Sequence, residues 1–546
     1  MKKYAIGVDF GTLSGRCVLV DVADGTVIME RQMDYPHAVM DKALPSGKSL
    51  AQDWALQHPQ DYLDVLDAIL PQLTAAVDPA DIVGIGVDVT SATALPVDKA
   101  YTPLCFQPEW TDDPYAYAMM WKHHACQQQA QRMTDVAIQR GESWLPLYGG
   151  KINVEWYFPK LLQILEERPA LYEAMDQYVE AVEWLVWQLT GSYVRSEGCV
   201  GYKALYAGGF PSEEYFAAVN PDFRHVVGTK LRGPIGKLGS CAGHVTAAAA
   251  ARWGLAPGTP VAVGNIDAHV CMPASGITAP GSMLAIVGTS TVTLLVGETL
   301  SAAPGICGAV QDGVLPGFAG YEAGQSCVGD SFRWLEKQAV PPYIVKEAAA
   351  AGMPVQAYLT HLAEKLRPGE SGLLALDWFN GNRSILADPD LQGVLLGLTL
   401  QTRPEEIYRA LIESTAYGCR VIVDHYRAHG VVVEAFYASG GISQKNAMAM
   451  QIYADVLNMP VQVVDASQGP ALGSAIFGAV GAGVYDTVEA AIRSMASPIK
   501  RVYEPISHHA EVYEALYREY KTLHDYFSAG ENDVMKRLKK LKNSVR

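Results

Sequence analysis

Four short stretches of the 546-residue chain combine residue types that can act on a phosphorylated ligand. The first is Asp9-Phe10-Gly11-Thr12-Leu13-Ser14-Gly15-Arg16, where an apolar run delivers a carboxylate into a small polar turn. A carboxylate at the end of a buried strand is costly unless a cation or hydrogen bonds compensate it, so Asp9 is a candidate to hold a magnesium ion through water. Gly11 lets the backbone come close to a ligand, and Thr12 and Ser14 add hydroxyls and N–H donors that can cradle phosphate oxygens. An ordinary hairpin with a turn-capping aspartate is the plain alternative. This is not a Walker A loop, because no GxxxxGK[ST] occurs there. The second stretch, Gly288-Thr289-Ser290-Thr291, offers the same chemistry from later in the chain. In the third, Val263-Gly264-Asn265-Ile266-Asp267-Ala268-His269, an apolar strand carries Asp267 into a sparsely charged neighbourhood, where it could act as general base toward a hydroxyl. Helix capping is the alternative for Asp267, and a satisfied structural role is the expectation for His269. In the fourth, Ala438 to Asn446, the pair Gly440-Gly441 lets a flat ring approach the backbone and Asn446 can hydrogen-bond to it, which suits adenosine. A helix cap is the default reading of such a turn.

The elements that must position these stretches alternate between strand and helix, which points to an α/β layer architecture. Tyr4–Phe10, Arg16–Val22 and Thr26–Met33 read as a β-meander with a hairpin turn at Asp24-Gly25. A helix is expected from about Pro59 to Ala76 and a strand over Ile82–Val89. Residues 110–260 are richer in aromatic residues and in helical spacing, as in Tyr115–Arg140, Glu155–Glu167 and the pair Trp184, Trp187. These suggest a lobe that shapes a pocket, with the tryptophans as core in the plainer reading. Near residue 280 the opening pattern returns: strand Met283–Val287, a small polar turn, strand Thr291–Val296. That points to two related halves, with Ala279-Pro280-Gly281 as the boundary. A helix (Pro404–His429), a strand (Ala435–Ala438), a helix (Gln444–Leu457) and a strand (Val461–Val464) follow. Ala471–Ala482 reads as a small-residue helix able to pack closely against its neighbours.

Composition narrows the function. Apolar residues make up 49% of the chain and charged ones 18%, enough for sizeable cores. By length the chain amounts to about three or four domains. The formal charge of −16 argues against nucleic acid or an anionic membrane as main partner. Nine scattered cysteines without a CxxC pair fit a reducing compartment better than a disulfide framework or structural zinc. Asp9 interrupts the apolar stretch behind Met1-Lys2-Lys3-Tyr4, so no secretory signal is read, and no span of about 18 uncharged apolar residues occurs. A cytoplasmic location is expected. Six basic residues in Lys536–Arg546 read as a solvated helix end rather than a nucleic-acid arm.

Taken together, the four stretches resemble the FGGY carbohydrate kinases, of the sugar kinase, heat-shock chaperone and actin superfamily, over nearly the whole chain from Asp9 to about Gly483. Within that family the likeness is greatest to bacterial members that phosphorylate L-ribulose. It is carried by GVDVTSAT (86–93), YGGKI (148–152), GYKAL (201–205), GNIDAHV (264–270), GYEAGQS (320–326), LALDWFNGNRS (374–384) and PALGSAIFGAV (470–480). The resemblance implies an α/β fold of two actin/hexokinase-like (ribonuclease H-like) lobes flanking a nucleotide and sugar cleft. Residues 1–279 would form the N-terminal lobe, 280–490 the C-terminal lobe and 491–546 a helical extension with the basic tail.

For the site, the resemblance implies ATP and Mg2+ as cofactors. Asp9, Gly11, Thr12 and Arg16 would handle phosphates and magnesium in the first lobe, and Gly288, Thr289 and Ser290 phosphates in the second. Gly440, Gly441 and Asn446 would lie at the adenosine, and Asp267 matches the family's catalytic base. Ser91, Lys203 and Glu322 are candidate sugar contacts beside Asp267, with a solvated Lys or Glu as the alternative for the last two. The implied reaction is phosphorylation of L-ribulose to L-ribulose 5-phosphate in L-arabinose catabolism. D-ribulose, L-xylulose or a related pentulose or polyol is the alternative within the family, and an ATP-switched actin- or chaperone-like binding protein the alternative from another class. Little sequence beyond helix-like segments follows residue 490, which favours the enzyme. A catalytically dead sugar sensor is disfavoured by the retained Asp9 and Asp267. One departure stands out: Trp121-Lys122-His123-His124 occupies the place where glycerol and xylulose kinases carry Trp-x-Asp, which moves the reading away from those sugars. A homodimer is compatible with the sequence, which does not specify it.

Overall fold

The apolar run Tyr4–Phe10 forms strand β1 and turns back into β2 (Ser14–Asp21) and β3 (Val27–Asp34) as an antiparallel meander. The computed structural model that shows this describes residues 2–466, 468–528, 530 and 532–545. Met1 and Arg546, at the ends of the N-terminal flank and the basic tail, lie outside them. Helix α1 (Pro59–Thr74) opens with proline in its first turn, where a missing N–H costs nothing, and is capped by the His58 ring. Its buried Tyr62, Leu66 and Leu70 belong to the same core as the meander. It leads to β4 (Ile82–Val89), which pairs parallel with β1.

An aromatic core built on Trp54, Tyr115, Trp156, Phe158, Tyr178 and Phe216 follows, and helix α2 (Glu197–Lys203) adds Val200 to it. The expected helix over Tyr115–Arg140 exists only from Gln127. Before it, Asp113 caps a single turn at Pro114–Ala116, and Ala118–Met119 pairs as a short strand with Leu56-Gln57 and Ala94. The tryptophans are core, as the plainer reading had it. Trp184 is fully buried and donates to the Tyr101 carbonyl at 2.9 Å, while Trp187 stacks on the Tyr101 ring.

Strands β5 (Cys241–His244), β6 (Pro260–Ala262) and β7 (Asn265–Ile266) complete the first sheet, and β7 runs directly into helix α3 (Asp267–Ala274). The chain then enters a second sheet through β8 (Ser282–Val287), β9 (Thr291–Gly297), β10 (Gly308–Gln311) and β11 (Ala319–Gln325). Helix α4 (Pro404–Ala428), strand β12 (Ala435–Ser439), helix α5 (Ala447–Leu457), strand β13 (Val461–Val464), helix α6 (Gly469–Gly481) and edge strand β14 (Ile499–Tyr503) follow. Among the described residues the first sheet runs β5-β6-β4-β1-β2-β3, with β7 beside β4. The second runs β14-β13-β12-β8-β9-β11-β10. Six strands of each correspond, giving each sheet a meander, two parallel strands beside its first strand and an antiparallel edge, while β7 is extra in the first and β10 in the second.

The halves are joined where α6, though it belongs to the later part of the chain, packs on the first sheet. Period-two alternation puts Gly7 and Asp9 on one face of β1 and Gly84, Gly86 and Asp88 on the same face of β4. A Cβ on Gly7 would lie 1.8 Å from the Ala471 carbonyl oxygen, and one on Gly86 1.8 Å from that of Ser474. Only glycine admits the helix this closely. The glycine stripe ends at the two carboxylates, which therefore lie at the same end of the sheet. The C-terminal segment packs on the second half: Tyr513, Tyr517 and Tyr520 join its core, and Lys536 and Lys539 pair with Asp388 and Asp390. The basic tail thus serves as a helix end folded back on its own chain.

Candidate active site

Parallel pairing sets Asp9 opposite Asp88 and Asp88 opposite Asn265, so three adjacent strands end together, with Asp267 two residues beyond. Asp9 is buried, its counter-charge being Arg16 on the paired strand, whose Nε lies 3.6 Å from Asp9 Oδ2. Burial pushes the Asp9 carboxyl upward, against the opposing pull of Arg16 and a hydrogen bond with Asp88. Asp88 is fully buried and accepts a hydrogen bond from Ser474 of α6. Burial and then the charge of Asp9 hold it well above the usual carboxylate range. Asp267 is half-buried and accepts from the Ala268 N–H at 2.7 Å. Burial first, then Asp9, push its carboxyl up to about 7.

The turn after β1 is pinned from three sides. Tyr35 and Gln57 donate to the Gly11 carbonyl at 3.1 and 3.2 Å, Gln57 also to that of Thr12 at 2.9 Å, and Trp121 Nε1 to Thr12 Oγ1 at 3.3 Å. The corresponding turn of the second half rests on the helix at Gly329–Trp334: the Val328 and Asp330 N–H groups donate to the Thr289 carbonyl at 2.8 and 3.2 Å, and that of Gly329 to Gly288 at 3.0 Å. Gly440 lies beside this turn, since its own Cβ would come 2.6 Å from the Val287 carbonyl. It holds φ at 89°, a conformation that favours glycine. Gly441 is exposed with open space around it, as a ring-binding backbone would need. Asn446 is the N-cap of α5, accepting from the Ala449 N–H at 2.9 Å, and its amide reaches the Tyr408 hydroxyl at 3.4 Å.

On the other side of Asp267 stands a buried charge cluster drawn from both halves. Lys203, at the end of α2, lies 2.9 and 3.2 Å from the two Glu322 oxygens on β11, and His269 Nε2 lies 3.0 Å from Glu322 Oε2. Burial pushes Glu322 up, but Lys203, His269 and Arg383 outweigh it and hold the carboxyl well below the usual range. His269 is fully buried, and desolvation keeps its ring neutral, so it donates to Glu322. Glu155 joins the cluster through Arg383, and its Oε1 lies 3.3 Å from His124 Nε2. A carboxylate therefore stands beside the Trp121–His124 stretch that lacks one of its own. Ser91 is half-buried in the turn after β4, one residue before Ala92, whose carbonyl accepts from Lys160 at 2.6 Å, and no hydrogen bond among the described residues ties it to Lys203 or Glu322.

The folded chain thus gathers Asp9, Arg16, Asp267, Lys203 and Glu322 into one continuous set of charges, and Gly288 and Gly440 into neighbouring turns of the second half. It also brings in Asp88, His124, Glu155 and Arg383, which sequence reasoning did not assign. Asp88 had a signal in its alternation with Gly84 and Gly86. Arg383 lay within the LALDWFNGNRS stretch that carries the resemblance but was given no role, and Glu155 had no signal, because each finds its partner only through folding. Among the described residues no three His, Cys, Asp or Glu side chains form a metal cage. Three carboxylates facing one guanidinium are nonetheless short of positive charge, and Asp88 Oδ1 lacks a hydrogen-bond partner. That suits a hard divalent cation bound by one carboxylate, with water and phosphate completing its shell. A cavity of about 540 Å³ lined by Leu238, Leu315, Phe318, Val480 and Val488 shares no residue with this site.

Comparison with known proteins bears on the family. The model of the N-terminal domain of the FGGY family of carbohydrate kinases matches residues 4–272, and that of its C-terminal domain residues 283–482. A protein named ribulokinase from Bacillus licheniformis is 50% identical over 540 residues, covering 97% of this chain and 98% of its own. Another of that name from Geobacillus thermodenitrificans is 48% identical over 554 residues, covering 100% and 98%. The crystal structure of xylulose kinase from Rhodospirillum rubrum superposes with a TM-score of 0.78 at 25% identity, over 96% of this chain and 99% of its own.

Proposed function

Because the chain belongs to the FGGY family of carbohydrate kinases, we propose that it transfers the γ-phosphoryl group of MgATP to the terminal hydroxyl of L-ribulose, giving L-ribulose 5-phosphate in L-arabinose catabolism. The relatives named ribulokinase, identical at about half of all positions along the whole chain, support the sugar. The observation that carries the chemistry is the position of Asp267, two residues beyond the strand end that lies beside Asp88 and Asp9, and two residues before His269, which pairs with Glu322.

Asp267 accepts the proton of the attacking hydroxyl, and a carboxyl raised to about 7 is matched to that task near neutral pH. Lys203 donates to sugar oxygens and Glu322 accepts from sugar hydroxyls, with Ser91 as a further contact. Arg16 and the N–H groups of the turns at Gly11-Thr12 and Gly288-Thr289-Ser290 hold phosphate oxygens, while Gly440 and Gly441 leave room for the adenine ring and Asn446 borders it. Asp9 is the residue that would hold Mg2+, which supplies charge neutralisation between the phosphates. Positioning and electrostatics dominate such transfers, so aligning the hydroxyl and excluding water are the protein's main work. We place the division between the lobes at 279/280 and the end of the second at 490, with 491–546 as a C-terminal extension packed on it. Among the described residues no helix is long and apolar enough to cross a membrane, and the nine cysteines are free, which supports a cytoplasmic location.

A coupled assay of ADP release over L-ribulose, D-ribulose, L-xylulose, ribitol and glycerol tests the reading. The highest kcat/KM is expected with L-ribulose. ADP release that no pentulose stimulates, or a clear preference for glycerol, would contradict it.

A further inference from the structure

Arg383 stands between two carboxylates, one from each half of the chain. Its Nη2 lies 3.6 Å from Glu155 Oε2 and 3.7 Å from Glu322 Oε1, and its Nε is buried without a hydrogen-bond partner. Both ion pairs are longer than hydrogen bonds, so the guanidinium is balanced in charge while N–H donors remain unfilled. A buried donor left unpaired is costly, and ligand oxygens would remove that cost.

The loop that carries Arg383 is fixed in place. Asp377 accepts from Gln325 Nε2 at 2.8 Å and from the Tyr520 hydroxyl at 2.7 Å, and Trp378 is buried. Asn382 and Asp388 exchange backbone hydrogen bonds at 2.9 Å, and Ser384 Oγ accepts from the Gly324 N–H at 3.2 Å, two residues from Glu322. The fork is therefore held against the strand of a candidate sugar contact.

The order of contacts suggests its place along the sugar. His269, two residues from Asp267, pairs with Glu322, whereas Arg383 faces Glu322 and Glu155, one residue further from the proposed base. We propose that Arg383 is a further sugar-binding residue that holds the C1–C2 hydroxyketone end of the substrate and favours ketoses over polyols. A ketone oxygen only accepts hydrogen bonds and a guanidinium only donates, while Glu155 beside it takes the hydrogen of the C1 hydroxyl. A C2 hydroxyl can accept from the guanidinium too, but its own hydrogen then needs a further acceptor, a demand that the ketone does not make. This assignment rests on the pentulose kinase reading above and deepens it.

The test compares unaltered chain, Arg383→Gln and Arg383→Lys, with KM and kcat measured for L-ribulose, ribitol and ATP, and Tm as a check on folding. Both variants are expected to raise the KM for L-ribulose about 10–100-fold, the loss of one charge-assisted hydrogen bond. The KM for ATP stays near its starting value, and ribitol loses less than L-ribulose. Lysine keeps the charge but not the planar fork, so it should not rescue. An unchanged KM for L-ribulose, full rescue by lysine, or equal losses for L-ribulose and ribitol would each overturn the proposal. Should neither form use ribitol, the first two results decide. An unaltered chain that phosphorylates no pentulose overturns the function and this inference together, whereas an active chain beside unaffected variants overturns this inference alone.

Discussion

Asp267 is a carboxylate whose affinity for a proton is raised by burial and by Asp9. Two further acids, Asp9 and Asp88, end on the adjacent strands, and burial pushes all three carboxyls upward. Replacement by asparagine should lower kcat roughly 10²–10⁴-fold with little change in the KM for ATP, as read by the coupled assay. A base must be ionised to accept a proton. The kcat/KM of the unaltered enzyme is therefore expected to rise with pH up to about 7 and level off above it, and a profile flat between pH 5 and 8 would count against Asp267. The Lys203–Glu322 pair behaves differently, because it is fully desolvated. Lys203→Met leaves Glu322 with only His269 and the more distant Arg383, and should cost about 3 kcal/mol of stability in urea unfolding. Adding Glu322→Gln should restore part of it, since an unpaired buried charge costs more than a removed pair.

Between the residues and the fold stand the strand ends and the helix that covers them. The glycines of β1 and β4 let α6 lie against the sheet, and α6 in turn hands Ser474 to Asp88. Gly86→Ala would force a Cβ within 1.8 Å of the Ser474 carbonyl. A loss of about 1–3 kcal/mol or more is expected from the urea midpoint, along with lower kcat as Ser474 is displaced. The strand–turn–strand segments carrying Asp9 and Gly288 were legible from sequence, because their apolar runs, glycines and hydroxyls act locally. The small-residue helix was legible for the same reason. Residues 115–126 were not, because distant partners hold them. Tyr115 packs edge-on against Trp54, Tyr117 donates to the Thr111 carbonyl, and Met119 pairs with Leu56 and Ala94. Helical spacing there reflects burial in an aromatic core, not a helix. Glu155, and the ionic role of Arg383 within its quoted motif, escaped notice for a related reason: neither has a neighbour in sequence that hints at an ionic partner in the other half.

At the scale of the molecule, two sheets of matching topology contribute to one site, and the Lys203–Glu322 and Glu155–Arg383 pairs link residues of both halves. Sugar and nucleotide that bridge the halves should draw them together and exclude water, which otherwise competes with the hydroxyl for ATP. Small-angle scattering with L-ribulose and a non-hydrolysable ATP analogue should show a smaller radius of gyration than the free protein, and an unchanged radius would argue against closure. The most direct test is a crystal structure with both ligands bound. The expected result puts an Asp267 oxygen about 2.6–3.2 Å from the terminal hydroxyl of L-ribulose, with that hydroxyl in line with the outermost phosphorus. An Asp267 carboxylate remote from both the sugar and the nucleotide would contradict the proposed mechanism.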